Sequence, residues 1–219
     1  MIRSTALKQA FVIKTSRLLL LFFLCILAQI YFTQNFIMTS EVYSNLYSDR
    51  LEPHRVDEIV LLVKKFSIWS YALAPLFLLI QLTFVSLLIQ LPLVLKFIEI
   101  SFSKLFRIVS FAYIPLLLRQ FVYIFWLFRL PANEINEKTL TFVPVAITNF
   151  VNASYYPKHI YSFLGNFNLF EIAWMVVVAV GLYRTKKLKK IDAALIVICV
   201  WTFIMLFIFV LITYLNKVG

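Results

Sequence analysis

Apolar runs separated by charged segments dominate this chain. A membrane-spanning helix needs about 20 consecutive apolar residues, and five runs reach or approach that length. They are residues 18–38, 67–95, 108–130, 169–183 and 191–215. The pattern predicts an all-α, polytopic integral membrane protein with five transmembrane helices, forming a single domain over residues 1–219.

The second and fourth runs depart from the usual length. The second is long and contains Pro75 and Pro92, which remove helix hydrogen bonds, so we expect this helix to be tilted or kinked. The fourth is short, and two alternatives stay open. Either residues 163–167 extend this span, or the span is simply shorter than the others.

Composition supports a membrane location. Hydrophobic residues make up 63% of the chain, charged residues 14%, and the mean hydropathy is +0.91. A soluble domain is typically about 45–50% apolar and about 25% charged. One soluble core of this length could not bury so many large apolar side chains.

The distribution of Lys and Arg predicts the direction of the helices, because positive residues favour the cytoplasmic side. The short segments 1–17, 96–107 and 184–190 hold twelve Lys and Arg, whereas the much longer alternate segments hold eight. We therefore predict the N-terminus inside, and the C-terminus and both long loops outside. Most of the net charge of +11 is then a topology signal, and we expect no nucleic-acid partner.

The two long loops, residues 39–66 and 131–163, show no pattern that predicts a core of their own. The second contains LTFVPVAITNF, which is apolar enough to lie on the membrane or to pack back onto the helices.

Residue patterns typical of enzymes are missing from the sequence. His54 and His159 both fall in the predicted outer loops, and the chain has no HExxH, GxSxG or Walker A motif. No Asp or Glu lies in the middle of a span, where an intramembrane protease or proton relay would need one. We expect no enzymatic activity, no cofactor and no metal site.

Two acids stand where spans begin. Asn168 is a candidate N-cap with Glu171 three residues later, which is the spacing of a capping box, and Asp192 opens the fifth span. Acids are favourable at a helix N-terminus because they meet the positive end of its dipole. The alternative for each is an ion or partner site.

Polar side chains of the second span share one helix face. Thr83, Ser86 and Gln90 are spaced i, i+3 and i+7. In lipid such groups usually hydrogen-bond to neighbouring helices. The alternative is a translocation path, to which Arg119 and Gln120 of the third span would also contribute.

The turn RTKKLKK between the fourth and fifth spans carries five positive charges. They belong to Arg184, Lys186, Lys187, Lys189 and Lys190. One interpretation is a topology anchor on the cytoplasmic side. The other is contact with anionic lipid or with an acidic partner, since each Lys or Arg near the surface contributes about 1 kcal/mol.

Arg119 is a charge inside an apolar run, four residues after Pro115. Pro115 cannot donate to the carbonyl of Phe111, so one interpretation has Arg119 donating to that carbonyl while its side chain extends toward the cytoplasm. A second is an ion pair with an acid of another span or of a partner subunit, and a third is a substrate role.

Two segments of the chain follow a known pattern, and they are FSKLFRIVSFAYIPLLL, residues 102–118, and NLFEIAWMVVVAVGLYRTKKLKKIDAALIVICVW, residues 168–201. The first resembles the opening of the third span in the Yip family (the Ypt-interacting-protein domain). The second resembles that family's fourth and fifth spans, with Trp174 and Gly181 in the family's order. The resemblance implies five spans with the N-terminus inside. Glycine is sparser than in the family's pattern, and about 17 residues precede the first span, so we do not expect the family's role with small GTPases here.

The resemblance and the composition together set the functional expectation. A chain rich in Phe, Ile, Lys and Asn suggests a bacterial protein, placed in the cytoplasmic (inner) membrane. We expect a non-catalytic accessory or scaffolding subunit that binds another membrane protein, such as an ABC-type exporter, or forms a homo-oligomer, or organises the bilayer. The alternative is a small transporter or channel subunit, whose small-molecule substrate the sequence does not identify.

Overall fold

A computed structural model describes residues 14–47 and 52–218, and its regular structure in these ranges is helical. The helices are α1 (Thr15–Phe32), α2 (Ser40–Tyr47), α3 (Pro53–Leu95), α4 (Phe102–Phe128), α5 (Glu137–Leu140), α6 (Lys158–Leu164), α7 (Leu169–Arg184) and α8 (Lys190–Val218). A π-helical turn, Thr33–Ile37, continues α1, and short 3₁₀ turns occur between α4 and α6. The predicted all-α class is confirmed.

Four of these helices are long and apolar enough to cross a membrane. The candidate spans in the described residues are Thr15–Ile37, His54–Leu95, Phe102–Phe128 and Lys190–Leu215. The chain is therefore an integral membrane protein. The fourth predicted span is also helical, as α7, but its 16 residues extend only about 24 Å, against a hydrocarbon core of about 30 Å. A fifth complete span and the orientation stay predictions.

Successive long helices run in opposite directions, which gives the molecule two distinct ends. At the first, which we call the basic end, Lys187 of the α7–α8 turn donates its Nζ–H to the carbonyl of Glu99 in the α3–α4 loop. At the second, the loop end, the ring of Phe32 lies 5.0 Å from that of Phe128. At the basic end, Lys14 precedes α1 and Arg17 lies in its first turn.

The core between the helices is apolar and continuous. Its fully buried side chains include Phe22 from α1, Leu82 and Ile89 from α3, Leu105 from α4 and Val178 from α7. Helices in lipid associate by close packing rather than by hydrophobic expulsion. Interlocking of these side chains therefore holds the bundle together.

The longest helix begins earlier than predicted. α3 starts at Pro53 rather than at residue 67, with Val56 and Val60 buried in the added turns and α2 packed alongside. Lys64 and Lys65 interrupt the apolar run but favour helix, so a hydrophobicity criterion ends the span where the helix itself continues. Pro75 and Pro92 both lie within α3.

The loop end has a small core that the two loops share with the ends of the long helices. Its buried members are Ile37, Val42, Leu127 and Ile135, from four separate segments. Within LTFVPVAITNF, Phe142 packs against Trp126 with ring centroids 4.2 Å apart, and Ala146 is buried. Of the two alternatives for that segment, the structure has it packed back onto the helices. No single loop supplies this core, which is why neither loop's own pattern predicts it.

Irregular backbone precedes α7 at the level of the middle of α8. The ring of Phe167 lies 5.2 Å from that of Trp201, and the Leu169 N–H donates to the carbonyl of Val145. Asn168, which is buried, donates its side-chain amide to the Gly165 carbonyl. Non-helical backbone is tolerated at membrane depth where protein groups satisfy it. Residues 163–167 therefore lie against α8 and do not lengthen α7.

Candidate functional site

Antiparallel packing of α4 and α7 brings a charge from each helix together. Ile108 of α4 faces Gly181 of α7, where an added Cβ would come within 2.5 Å of the Ile108 Cγ2 atom. From this contact, Arg119 lies eleven residues onward in α4 and Glu171 ten residues back in α7. Both steps cover about 15–17 Å at about 1.5 Å per residue. The same register that seats Gly181 therefore places Arg119 opposite Glu171.

Arg119 and Glu171 form an ion pair away from solvent. The Arg119 Nη1 atom lies 3.1 Å from Glu171 Oε1, and the two side chains are 25% and 14% exposed. Of the alternatives for Arg119, the structure thus has the pair with an acid of another helix. Paired charges of opposite sign are the usual form in which ionised groups persist at membrane depth.

Asn168 fixes the helix start that carries this acid. Its Oδ1 accepts from the Glu171 N–H at 3.0 Å, as an N-cap does. The return half of a capping box does not form, because the Asn168 N–H donates to the Asn166 carbonyl and the Glu171 carboxylate accepts from Arg119. Asp192 lies in the first turn of α8, 3.9 Å from Lys96 Nζ.

The polar side chains of the second and third spans are not gathered into one path. Ser86 is fully buried and donates to the carbonyl of its own helix at Leu82, 2.6 Å away, and Thr83 is half-buried. Gln90 lines a cavity at the basic end, whereas the exposed Gln120 lines a separate cleft toward the loop end.

The cleft around Gln120, which we call the polar cleft, lies between α1, α3 and α4. Its volume is about 340 Å³, and its lining residues are Gln29, Ile30, Thr33, Gln34, Ser70, Gln120, Tyr123 and Ile124. Six of the eight carry polar side chains. The π-helical turn that follows Phe32 borders it, and such turns occur frequently at functional sites.

Gln29 is the most deeply placed polar group of the cleft. Its side chain is 9% exposed, and its Nε2 has no hydrogen-bond partner among the described residues. The Tyr123 hydroxyl, by contrast, donates to the Leu140 carbonyl at 2.8 Å, which ties the loop end to the cleft. Sequence reasoning found Gln120 but missed Gln29, Thr33 and Ser70. The i, i+4 spacing of Gln29 and Thr33 could have identified a polar face on the first span.

A larger cavity, which we call the basic-end cavity, lies between the α3–α4 loop and the α7–α8 turn. Its volume is about 600 Å³, and its lining residues are Gln90, Val94, Phe97, Ile98, Glu99, Ile100, Ser101, Lys104, Thr185 and Lys187. Of the five positive residues in the turn RTKKLKK, only Lys187 lines it. Arg184, Lys186, Lys189 and Lys190 are exposed around it.

The described residues contain no group of three His, Cys, Asp or Glu side chains placed to hold a metal ion. No protein-family model, no curated protein and no solved structure matches the chain.

Proposed function

We propose that this chain is a non-catalytic membrane protein, an accessory or scaffolding subunit that binds a transmembrane helix of another membrane protein at the polar cleft. The observation that carries the proposal is Gln29, a buried amide with an N–H group that no described residue accepts. An unsatisfied polar group in an apolar medium costs roughly 2–7 kcal/mol. Turning this amide toward the cleft, which Gln29 lines, would let it donate to a polar side chain of a partner helix.

Exposed polar groups around the cleft support the same proposal. Ser70 and Gln120 are exposed on helices that face lipid, and Gln34 is half-buried beside them. Hydrogen bonds between helices in membranes contribute about 0.6–2 kcal/mol each. Several of them, together with close packing, would hold one helix in register.

Most of the surface of the spanning helices is not buried within the chain. In the most apolar window of each, only 17–28% of the residues are buried within the chain. The remaining faces contact lipid or another protein. A subunit of a larger membrane assembly is consistent with so little internal burial.

We also propose that the chain is a Yip-like protein of the bacterial inner membrane. The two segments that resemble the family lie in α4, α7 and the first part of α8, and α7 packs against both of the others. An N-terminus inside would place the basic end at the cytoplasmic surface.

A transporter or channel subunit is the alternative function. It needs a route between the polar cleft and the basic-end cavity. Ser70 and Gln90, one from each, are twenty residues apart on α3, which is about 30 Å along the helix. The buried side chains of Leu78, Leu82 and Ile89 lie between them.

Purification in native lipid with matched variants tests the proposal. We expect the wild-type chain to be recovered with one membrane protein in fixed stoichiometry, and Gln29→Met and Gln120→Met to lose it. Gln81→Met is the control, since Gln81 is exposed on α3 outside the cleft. Because Gln29→Met also removes a buried unsatisfied group, it should stabilise the isolated chain by about 1–3 kcal/mol. Recovery of a monomer, or equal loss in all three variants, would count against the proposal.

A further inference from the structure

Positive charge at the basic end exceeds negative charge around one cavity. Residues 96–107 and 184–192, which belong to the segments that form this cavity, include eight Lys and Arg against two acids. The positive residues are Lys96, Lys104, Arg107, Arg184, Lys186, Lys187, Lys189 and Lys190, and the acids are Glu99 and Asp192. Asp192 lies within 3.9 Å of Lys96, which leaves Glu99 as the acid on the cavity wall. The cavity therefore favours an anion.

Two lysines from different segments line this cavity. Lys104 lies in the first turn of α4, and Lys187 lies in the α7–α8 turn. Lys187 donates to the Glu99 carbonyl, which holds its ammonium group at the wall. An ammonium group has three N–H donors, so two remain for a ligand. Ser101, the N-cap of α4, makes no side-chain capping bond and also lines the cavity.

Beside the polar residues Gln90, Glu99 and Thr185, the lining of this cavity includes exposed apolar side chains. Val94 is 60% exposed and Phe97 is 94% exposed, and both line the same cavity as the two lysines. Phe97, two residues after the end of α3, has a φ of 54°, a conformation that is a genuine outlier for a bulky residue. A site that combines two lysines with exposed apolar side chains suits an amphiphile better than a free anion.

We propose that the basic-end cavity binds the headgroup phosphate of an anionic phospholipid. Lys104 and Lys187 hold the phosphate from two sides, and the acyl chains descend along Val94 and Phe97. The site is independent of the partner proposed for the polar cleft, from which it is separated by about 30 Å along α3.

Lipid binding to purified variants tests this site. The chain is delipidated in mild detergent and titrated with phosphatidylglycerol or phosphatidylcholine, and bound lipid is counted by native mass spectrometry. We expect one phosphatidylglycerol to bind in preference to phosphatidylcholine. Lys104→Gln and Lys187→Gln should each weaken phosphatidylglycerol binding about fivefold. This is the factor that corresponds to the contribution of about 1 kcal/mol from each lysine near a lipid surface.

Two controls distinguish a built site from diffuse attraction. Lys186→Gln and Lys189→Gln remove the same charge from exposed positions outside the cavity and should change the affinity less than twofold. Equal weakening by all four variants would overturn the proposal. So would competition by inorganic phosphate at the concentration of the lipid, because it would show that the acyl chains contribute nothing.

A fifth variant separates binding from folding. Ser101→Asp places a good N-cap residue at the start of α4, so the fold should be kept or stabilised. The added carboxylate should nevertheless repel the phosphate and lower lipid affinity at least fivefold. A stable Ser101→Asp protein with unchanged phosphatidylglycerol affinity would contradict the site.

Discussion

Arg119 shows how far a single residue can be understood from its sequence context. A charge in an apolar run predicts a partner or a route to water, but not which one, because the partner comes from a different helix. The decisive fact is the register of α4 against α7, which the Ile108–Gly181 contact sets. Asn168 was recognisable as an N-cap from local sequence, whereas the direction of the Glu171 carboxylate toward Arg119 was not.

Breaking the Arg119–Glu171 pair should destabilise the chain more than removing it altogether. Arg119→Leu leaves an uncompensated carboxylate, which costs roughly 3–5 kcal/mol at a buried pair and less here because Arg119 is 25% exposed. We expect a loss of about 2–3 kcal/mol in the free energy of unfolding. The double variant Arg119→Leu/Glu171→Leu should recover most of it, since an apolar pair is often neutral or stabilising.

Titration with a denaturing detergent measures these free energies. A double variant that is as unstable as the sum of the single variants would show that the two side chains do not interact.

At the scale of helices, the sequence predicts the ends of a helix correctly where the apolar run covers the whole helix. The prediction fails where the apolar run is shorter than the helix. α7 begins at the predicted residue and ends one residue beyond the predicted end. α3 begins well before its predicted start, because Lys64 and Lys65 end the apolar run without ending the helix. The loop-end core was missed for a related reason, since it forms only when four segments meet.

The contact between α4 and α7 depends on Gly181. We expect Gly181→Ala to lower the free energy of unfolding by about 1–3 kcal/mol, because the new methyl would overlap Ile108, a branched and buried side chain that moves little. Gly165→Ala should cost less, since its nearest contacts are at 3.3 Å.

A double-mutant cycle checks the cause. The double variant Ile108→Ala/Gly181→Ala should lose less free energy of unfolding than the sum of the losses in the two single variants. Simple additivity would mean that the Ile108 contact is not what the alanine disturbs.

At the scale of the molecule, the two ends differ in charge and in surface. The basic end carries the lysine-rich turn, while the loop end carries exposed aromatic residues such as Phe150 and Tyr155. Charge counting predicts that the basic end is cytoplasmic, and the helices do alternate in direction as that prediction requires. The cavities at different depths could not be predicted, because each is bounded by residues distant in sequence.

Cysteine labelling from outside the membrane checks the orientation. Cys25 and Cys199 are free thiols, so both are first replaced by Ala. We expect an impermeant maleimide to label Phe150→Cys in intact cells, and Lys187→Cys only after permeabilisation. The reverse pattern would place the basic end outside.

A helix of another membrane protein bound in the polar cleft is the central claim, and photocrosslinking tests it most directly. A photoreactive amino acid replaces Gln120 within the cleft or, as the matched control, Gln81 on the exposed face of α3. In native membranes, irradiation should join one membrane protein of defined mass to the Gln120 position and not to Gln81. Adducts to lipid alone at Gln120, or the same proteins joined at both positions, would contradict the claim.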